Sequence, residues 1–206
     1  MLKLILENIP EGRKIKALEL GSGRGGLTRF ITKELLKLDK LALMVGSNIS
    51  EKENETNRSR AKEEGIPDDV YRVDHVSFDD MPYKHGEFDL IFSNDSFLHS
   101  SNKVKCMTRL TQILSADGAL VFTDILESPT ANRDDLKDVY ARLSLDNLGD
   151  SVTYHKVFTQ NGLKKILADC SSTPIIRHYG CVKYNAQVVK KDELLAAGVT
   201  QAHIDK

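Results

Sequence analysis

Two short stretches of this chain combine residue types that could do chemistry. The first, ALELGSGRGG over residues 17–26, places four glycines directly after an apolar run. Glycine has no Cβ, so a ligand can lie against the backbone there, and the free N–H groups of a following helix can bind a carboxylate. The second, NDSFLHS over residues 94–100, carries Asp95 and His99. A carboxylate can hold an amine, and a histidine can accept its proton near neutral pH.

The glycine stretch alone leaves several kinds of site open. Gly21, Gly23 and Gly26 match the G-x-G-x-x-G pattern of dinucleotide-binding proteins, so a dehydrogenase is one alternative. A plain tight turn between a strand and a helix is another. A phosphate-binding P-loop is excluded, because no Gly-Lys-Ser/Thr follows the glycines. The function of the stretch therefore depends on the elements that position it.

Apolar runs alternate with helical patterns along the chain. We predict strands over residues 14–20, 41–45, 70–74, 88–93 and 119–124. We predict helices over residues 26–38, 51–64, 102–114, 133–148, 155–168 and 175–196. Strands that alternate with helices indicate an α/β fold, with a mostly parallel sheet and helices on both faces. The glycines then follow the first strand, at the edge where such sheets bind ligands.

Length and composition exclude several classes of protein. A chain of 206 residues with 40% hydrophobic content is predicted to form a single domain, residues 1–206, with a core at 14–124 and a helical part at 125–206. A net charge of −1 leaves no basic field for nucleic acid. Three widely spaced cysteines fit neither a disulfide framework nor a zinc site, so no metal is expected. The sequence shows no signal peptide or membrane span, which predicts a cytoplasmic protein with no membrane partner. We also expect a monomer or homodimer.

Five segments of the chain carry a resemblance to a known family. They are LELGSGRGGLTRFI, SNISEKENETNRSRAKEEGI, SFDDMPYKHGEFDLIFSNDSFLHS, ILSADGALVFTDILES and RHYGCVKYNA, in order over about residues 14–190. Together they resemble class I S-adenosylmethionine-dependent methyltransferases, and most closely the sarcosine/dimethylglycine N-methyltransferases of glycine betaine synthesis. The resemblance implies a Rossmann-like fold, S-adenosyl-L-methionine as cofactor, S-adenosyl-L-homocysteine as its product and a small amine as substrate. The dehydrogenase alternative is weakened accordingly.

The resemblance also implies where the cofactor binds. The implied residues are Glu19, Gly21, Ser22, Gly23, Asn48, Ile49, Ser77, Phe78 and Asn94. The glycine loop would face the methionine part, with Glu19 either ordering the loop or reaching the amino group. Asn48 stands where most of the class has an acid for the ribose hydroxyls, and an amide can still accept from one hydroxyl and donate to the other oxygen. Ser77 stands where many members have an Asp for adenine, Phe78 is the expected adenine neighbour, and Asn94 would lie near the methionine end.

The substrate residues follow from the resemblance and from the chemistry of amines. Asp95 and His99 are four residues apart, so on a helical turn they would share a face, with Asp95 holding the amine and His99 accepting its proton. A local packing or capping role is the alternative for this pair. Further candidates are Asp124, Tyr154, Arg177, His178 and Tyr179. Arg177 would pair with a substrate carboxylate, and a tyrosine ring would face a methylated ammonium, although ordinary structural roles also explain these residues.

Both ends of the sequence depart from the family pattern. Members usually have an N-terminal helical segment that closes over the cofactor and a final strand that completes a seven-stranded sheet. This chain starts shortly before its first predicted strand and ends in QAHIDK, so we expect a methyltransferase domain truncated at both ends. A phosphoethanolamine or other small-molecule methyltransferase, and a truncated cofactor-binding protein without turnover, therefore stay open as alternatives.

Overall fold

Five parallel strands form the central sheet. They are β1 (Ile15–Leu20), β2 (Leu41–Asn48), β3 (Tyr71–His75), β4 (Phe88–Asn94) and β5 (Leu114–Thr123), in the order β3-β2-β1-β4-β5. Every neighbouring pair is parallel, which confirms the predicted α/β architecture. β5 begins five residues earlier than the predicted strand, because Leu114 already pairs with Phe88 before the register shifts.

The computed structural model describes residues 1–164 and 166–204, which fall into two compact units, residues 1–166 and the residues from 167 onward. The helices of the first unit are α1 (Leu2–Asn8), α2 (Gly26–Lys37), α3 (Glu51–Glu63), α4 (Lys103–Ile113), α5 (Lys137–Leu143) and α6 (Ser151–Gln160). Short 3₁₀ turns cover Phe97–His99 and Arg133–Leu136. A small parallel pair joins β6 (Leu126–Glu127) to β7 (Gly149–Asp150).

Side chains alternate between the two faces of the sheet, and each face has its own core. Ala17 and Leu90 face the core that α1, α2 and α3 complete, whereas Leu18 and Ile91 face the core that includes buried residues of α4 and α6. Strands covered on both faces read as nearly continuous apolar runs, which is why the sequence pattern located them. Helices on both faces of the sheet are thus confirmed.

The helices after β5 differ from the predicted ones in their bounds. α6 begins at Ser151, four residues before the predicted helix, because the Asp150 carboxylate caps it by accepting the Thr153 N–H at 2.8 Å. The helix predicted over 133–148 ends at Leu143, where Ser144 adopts a left-handed conformation. Residue 165 of the helix predicted over 155–168 lies outside the described residues.

The second unit is helical. It contains α7 (Thr173–Tyr184), a π-helical segment (Asn185–Val189), α8 (Lys191–Ala196) and α9 (Gln201–Ile204). The helix predicted over 175–196 is therefore interrupted rather than continuous. Within the described ranges, no helix is both long enough and apolar enough to cross a bilayer. The division of residues 1–206 into a core and a substrate-side part stays a prediction.

Candidate active site

The carboxyl ends of the five strands lie at one edge of the sheet, because all the strands are parallel. Most of the residues predicted from the sequence to bind the cofactor lie at or just after these strand ends. β1 is followed by Gly21, Ser22 and Gly23. β2 ends at Asn48 and is followed by Ile49. Just beyond β3 lie Ser77 and Phe78, and β4 ends at Asn94. Asp124 follows β5. The fold thus brings together segments that lie as far apart in the sequence as Gly21 and Asp124.

The loop after β1 has a closed side and an open side. The carbonyl of Ser47 accepts the N–H groups of Gly21 and Ser22, at 2.9 and 3.0 Å, and so fixes the loop against β2. Gly21 has φ +72°, and a Cβ there would lie 2.4 Å from Ser96 Oγ. Gly23 has φ +50°, but a Cβ there would meet nothing within 4 Å. The backbone at Gly23 therefore faces open space that a ligand could fill.

The start of α2 fits the acidic end of an amino acid. Gly25 precedes the helix with φ +74°, and a Cβ there would overlap the side chain of Asn57 at 1.7 Å. No side chain of the described residues caps this helix. Its first-turn N–H groups are thus available to an anion such as a carboxylate. That the glycine loop and this helix end bind the methionine part of S-adenosylmethionine stays a prediction.

Glu19 lies beneath this loop, within β1. Its side chain faces α2 and is only 2% exposed, and it accepts a hydrogen bond from the Thr28 hydroxyl. Burial raises the pKa of Glu19 to about 8, although the hydrogen bond from Thr28 opposes that shift. The carboxyl group ties the end of β1 to the first turn of α2. This geometry favours loop ordering over contact with a ligand amino group.

At the end of β2, an unpredicted glutamate joins the candidate cofactor residues. Asn48 Nδ2 donates to Glu53 Oε2 at 3.1 Å, which leaves the amide oxygen as the acceptor. Ile49 is 67% exposed, and its carbonyl lies 2.7 Å from His75 Nε2. An exposed apolar side chain beside an amide suits an adenosine group. Glu53 was missed because it belongs to the charged helix, which its sequence indicates to be a solvated face.

Phe78 connects the glycine loop to the segment after β4. Its ring is half-buried, and its Cζ would lie 3.2 Å from a Cβ on Gly21. The same ring contacts Phe97 edge-on, with 6.0 Å between the ring centroids. Ser77 stabilises the local turn, because its Oγ accepts the Asp79 N–H at 3.2 Å. One side of the Phe78 ring could therefore contact a ligand, while the other side packs in the core.

The segment after β4 places Asp95 and His99 differently from the prediction. Asp95 has φ +48°, and its N–H donates to the Thr123 carbonyl at 3.0 Å, so it lies outside any helical turn. The 3₁₀ turn begins only at Phe97. The expected shared helical face is therefore wrong, since helical spacing does not apply across a left-handed residue. Both side chains are exposed, and neither a hydrogen bond nor an ion pair joins them in the described part of the chain.

Ser96 and Thr123 hold this segment in place, and no sequence pattern indicates either residue. Ser96 Oγ lies 2.9 Å from the Asn94 carbonyl, to which it donates, and 3.4 Å from the Gly21 carbonyl. Thr123 Oγ1 donates to Asn94 Oδ1 at 3.1 Å. These contacts bring the glycine loop and the end of β4 together. Small hydroxyl side chains are too common after strands to predict such a role.

Asp124 and Tyr154 bind each other. The Tyr154 hydroxyl donates to Asp124 Oδ2 at 2.8 Å, and the Leu98 N–H donates to Asp124 Oδ1 at 3.0 Å. Burial raises the pKa of Asp124 to about 6, and the Tyr154 side chain is only 4% exposed. The pair thus braces the 3₁₀ turn from the end of β5. Its contact with a substrate stays a prediction.

Arg177, His178 and Tyr179 lie in α7, in the second unit. All three residues are exposed, and the His178 and Tyr179 rings contact each other edge-on at 5.4 Å. Their predicted contact with the substrate stays a prediction.

A parallel sheet ordered β3-β2-β1-β4-β5, with a glycine loop after β1, defines a Rossmann-like α/β protein with a ligand site at its carboxyl edge. Residues 11–170 match the family model described as "Methyltransferase domain". The chain therefore belongs to the class I S-adenosylmethionine-dependent methyltransferase family.

Individual relatives agree with this assignment. The chain is 34% identical over 178 residues to a sarcosine/dimethylglycine N-methyltransferase of Aphanothece halophytica, covering 86% of this chain and 61% of that protein. It is 35% identical over 167 residues to a glycine/sarcosine/dimethylglycine N-methyltransferase of Actinopolyspora halophila, covering 81% of this chain and 28% of that protein. The crystal structure of a candidate sarcosine dimethylglycine methyltransferase from Galdieria sulphuraria matches with a TM-score of 0.81 at 25% identity, over 94% of this chain and 70% of that one. The chain thus spans less than two thirds of these two curated relatives.

Proposed function

We propose that this protein is an N-methyltransferase that uses S-adenosylmethionine to methylate a small amine, with sarcosine or dimethylglycine as substrate. The observation that carries the proposal is the identity of 34% with a sarcosine/dimethylglycine N-methyltransferase over 86% of this chain. The family-model match over residues 11–170 includes both the glycine loop and the segment with Asp95 and His99. The proposal places the activity in glycine betaine synthesis and in the cytoplasm.

Different residues at the carboxyl edge of the sheet would bind different parts of the cofactor. The backbone at Gly23 and the uncapped start of α2 would hold the methionine part. The Asn48 amide oxygen would accept from a ribose hydroxyl, while Ile49 and Phe78 would contact the adenine ring. Bound there, the cofactor supplies an electrophilic methyl group on a sulfonium. A sulfonium needs no protein nucleophile, so the enzyme has mainly to align the amine with the methyl group.

The substrate amine must lose a proton so that its lone pair can form the new N–C bond. Asp95 is an exposed carboxylate after β4, where it would hold the amino group. His99 would accept the proton and pass it to solvent. Arg177 would pair with the carboxylate that sarcosine and dimethylglycine both carry. These assignments give each exposed polar residue a role that the amine chemistry requires.

A methyl-transfer assay with labelled cofactor across a panel of amines tests the proposal. We expect labelled product with sarcosine and dimethylglycine, and much less with phosphoethanolamine. Ethanolamine is the matched control, because it is a small amine without either a carboxylate or a phosphate. Preference for phosphoethanolamine would instead favour a phosphobase methyltransferase. Cofactor binding by calorimetry with no labelled product from any amine would favour a binding protein without turnover.

A further inference from the structure

Lys103, the first residue of α4, is a buried lysine that has no part in the proposed mechanism. It is 8% exposed, and its ammonium group donates to the carbonyl oxygens of Leu98 and Ser100, both at 3.1 Å. Desolvation lowers the pKa of Lys103 below its usual value, while nearby Asp124 opposes that shift most strongly. The other titratable groups that act on it are Cys106, Asp146 and Asp79.

This position is unfavourable for lysine in two ways. The N-terminus of a helix carries the positive end of the helix dipole, so a cation in its first turn is destabilised. Burial also removes the water that an ammonium group needs. Residues that break local rules in this way are expected at functional sites rather than in ordinary cores. The partners of Lys103 then indicate what it does.

Those partners flank His99 directly. Leu98 precedes His99 and Ser100 follows it, so the ammonium group of Lys103 holds the backbone on both sides of the imidazole. The N–H of Leu98 donates to the carboxylate of Asp124, the residue that follows β5. The turn is thus held from α4 and from β5, while the His99 side chain stays exposed.

We propose that Lys103 is a positioning residue: its ammonium group fixes residues 98–100 and so holds His99 where it can accept the proton of the amine. This inference rests on the proposed function, in which His99 is the base. Lys103 itself touches neither cofactor nor substrate in this scheme. It acts only through the backbone that it binds.

The test compares Lys103→Met, which removes the ammonium group at similar length, with Lys105→Met as a matched control. Lys105 lies on the same helix and is exposed. Turnover should fall roughly 10- to 100-fold in Lys103→Met, because small misplacement of a catalytic group has effects of this size. The cofactor Kd should stay unchanged, and Lys105→Met should keep wild-type turnover. Lys103→Arg, which keeps the charge and the donors, should recover part of the rate.

A double variant separates positioning from a general structural role. If Lys103 acts through His99, the His99→Ala/Lys103→Met variant should be no slower than His99→Ala alone. Losses that multiply would overturn the proposal, as would an equal loss in Lys105→Met. If circular dichroism shows that Lys103→Met does not fold, Lys103→Gln replaces it in these tests. The glutamine side chain is shorter than that of lysine and also lacks the charge.

Hydrogen exchange of the Leu98 amide gives a readout that needs no substrate. We expect faster exchange in Lys103→Met than in wild type, since this amide bonds Asp124 only while the turn is fixed. Unchanged exchange together with unchanged turnover would overturn the proposal. If wild type methylates none of the amines, the proposed function fails separately, and the exchange rate of Leu98 still decides whether Lys103 holds the turn.

Discussion

At the scale of single residues, the candidate site contains three backbone positions with positive φ angles. Gly21, Gly23 and Asp95 all have positive φ angles and lie at the ends of neighbouring strands β1 and β4. Such a conformation costs a residue with a side chain roughly 1–2 kcal/mol, and Asp and Asn tolerate it better than most. A side chain at position 21 is excluded because Ser96 fills the space of a Cβ, whereas Gly23 faces open space.

Gly23→Ala tests whether that open space holds the cofactor. We expect the cofactor Kd to rise about tenfold or more, which corresponds to a lost contact of about 1.4 kcal/mol. Gly12→Ala is the matched control, because Gly12 also has a positive φ (+74°) and nothing within 4 Å of its Cβ position. Both variants should lose similar stability in thermal unfolding. Equal cofactor affinity of the two variants by calorimetry would remove the proposed role of the glycine loop.

Asp95→Asn and His99→Ala test the proposed handling of the amine. Asparagine tolerates the left-handed backbone at Asp95, so Asp95→Asn removes the charge without new strain. Turnover with sarcosine should fall by roughly 10²-fold or more in each variant, the usual scale for loss of a general base. Cofactor affinity should change little.

The pH profile adds a second requirement for His99. The wild-type rate should fall at acidic pH, because a protonated imidazole cannot accept the proton of the amine. His99→Ala should lose part of this dependence. Near wild-type turnover in both variants would mean that the pair is structural and that the amine loses its proton to solvent before it binds.

At the scale of elements, the junction of β1 and α2 depends on one buried carboxyl group. Glu19 contacts Thr28 across this junction, and burial raises its pKa from 4.5 to about 8. The folded state therefore binds the proton of Glu19 more tightly than the unfolded state does. A raised carboxyl pKa contributes stability that is fully present below pH 4.5 and is lost as the pH rises through 8.

Glu19→Gln should remove this pH dependence. As the pH rises from 4.5 to about 8, the free energy of unfolding of wild type should fall relative to that of the variant. The fall should be up to about 1.4 kcal/mol per pH unit. Urea unfolding at several pH values across this window measures the difference between the two proteins. Parallel stability curves for wild type and variant would show that Glu19 does not keep its proton in the folded state.

At the scale of the whole molecule, the residues predicted from the sequence to bind cofactor or substrate fall in two compact units of the chain. The proposed cofactor residues, together with Asp95 and His99, lie within residues 1–166, whereas Arg177 lies in α7 of the second unit. A substitution in α7 that changes substrate affinity without changing cofactor affinity would link the second unit to the reaction.

Arg177→Gln is the variant for this comparison. We expect the KM for sarcosine to rise roughly 10- to 100-fold, because a hydrogen bond to a charged group contributes roughly 1.5–3 kcal/mol. The cofactor Kd should stay unchanged. Lys183→Gln is the control, since it removes one exposed cation from the same helix. Equal KM values for both variants and wild type would remove Arg177 from the substrate site.

Local sequence patterns determined the strands, the parallel sheet and the glycine loop. A strand that is buried on both faces needs an apolar run, and the loop after β1 needs positive φ angles at Gly21 and Gly25, so each feature is written in adjacent residues. The same locality explains the error at Asp95 and His99. Helical periodicity does not apply to their spacing, because Asp95 has a positive φ angle and its N–H bonds to the Thr123 carbonyl on the neighbouring strand.

Only the tertiary structure decided which polar groups meet. The sequence pattern indicates none of three contacts: that of Glu53 with Asn48, that of Tyr154 with Asp124 and that of Lys103 with the backbone beside His99. Tyr154 and Asp124 are 30 residues apart, whereas Glu53 and Lys103 each reach from a helix to a group five residues earlier in the chain. The chain therefore specifies its fold through local patterns, whereas the geometry of its candidate site arises from packing between distant segments.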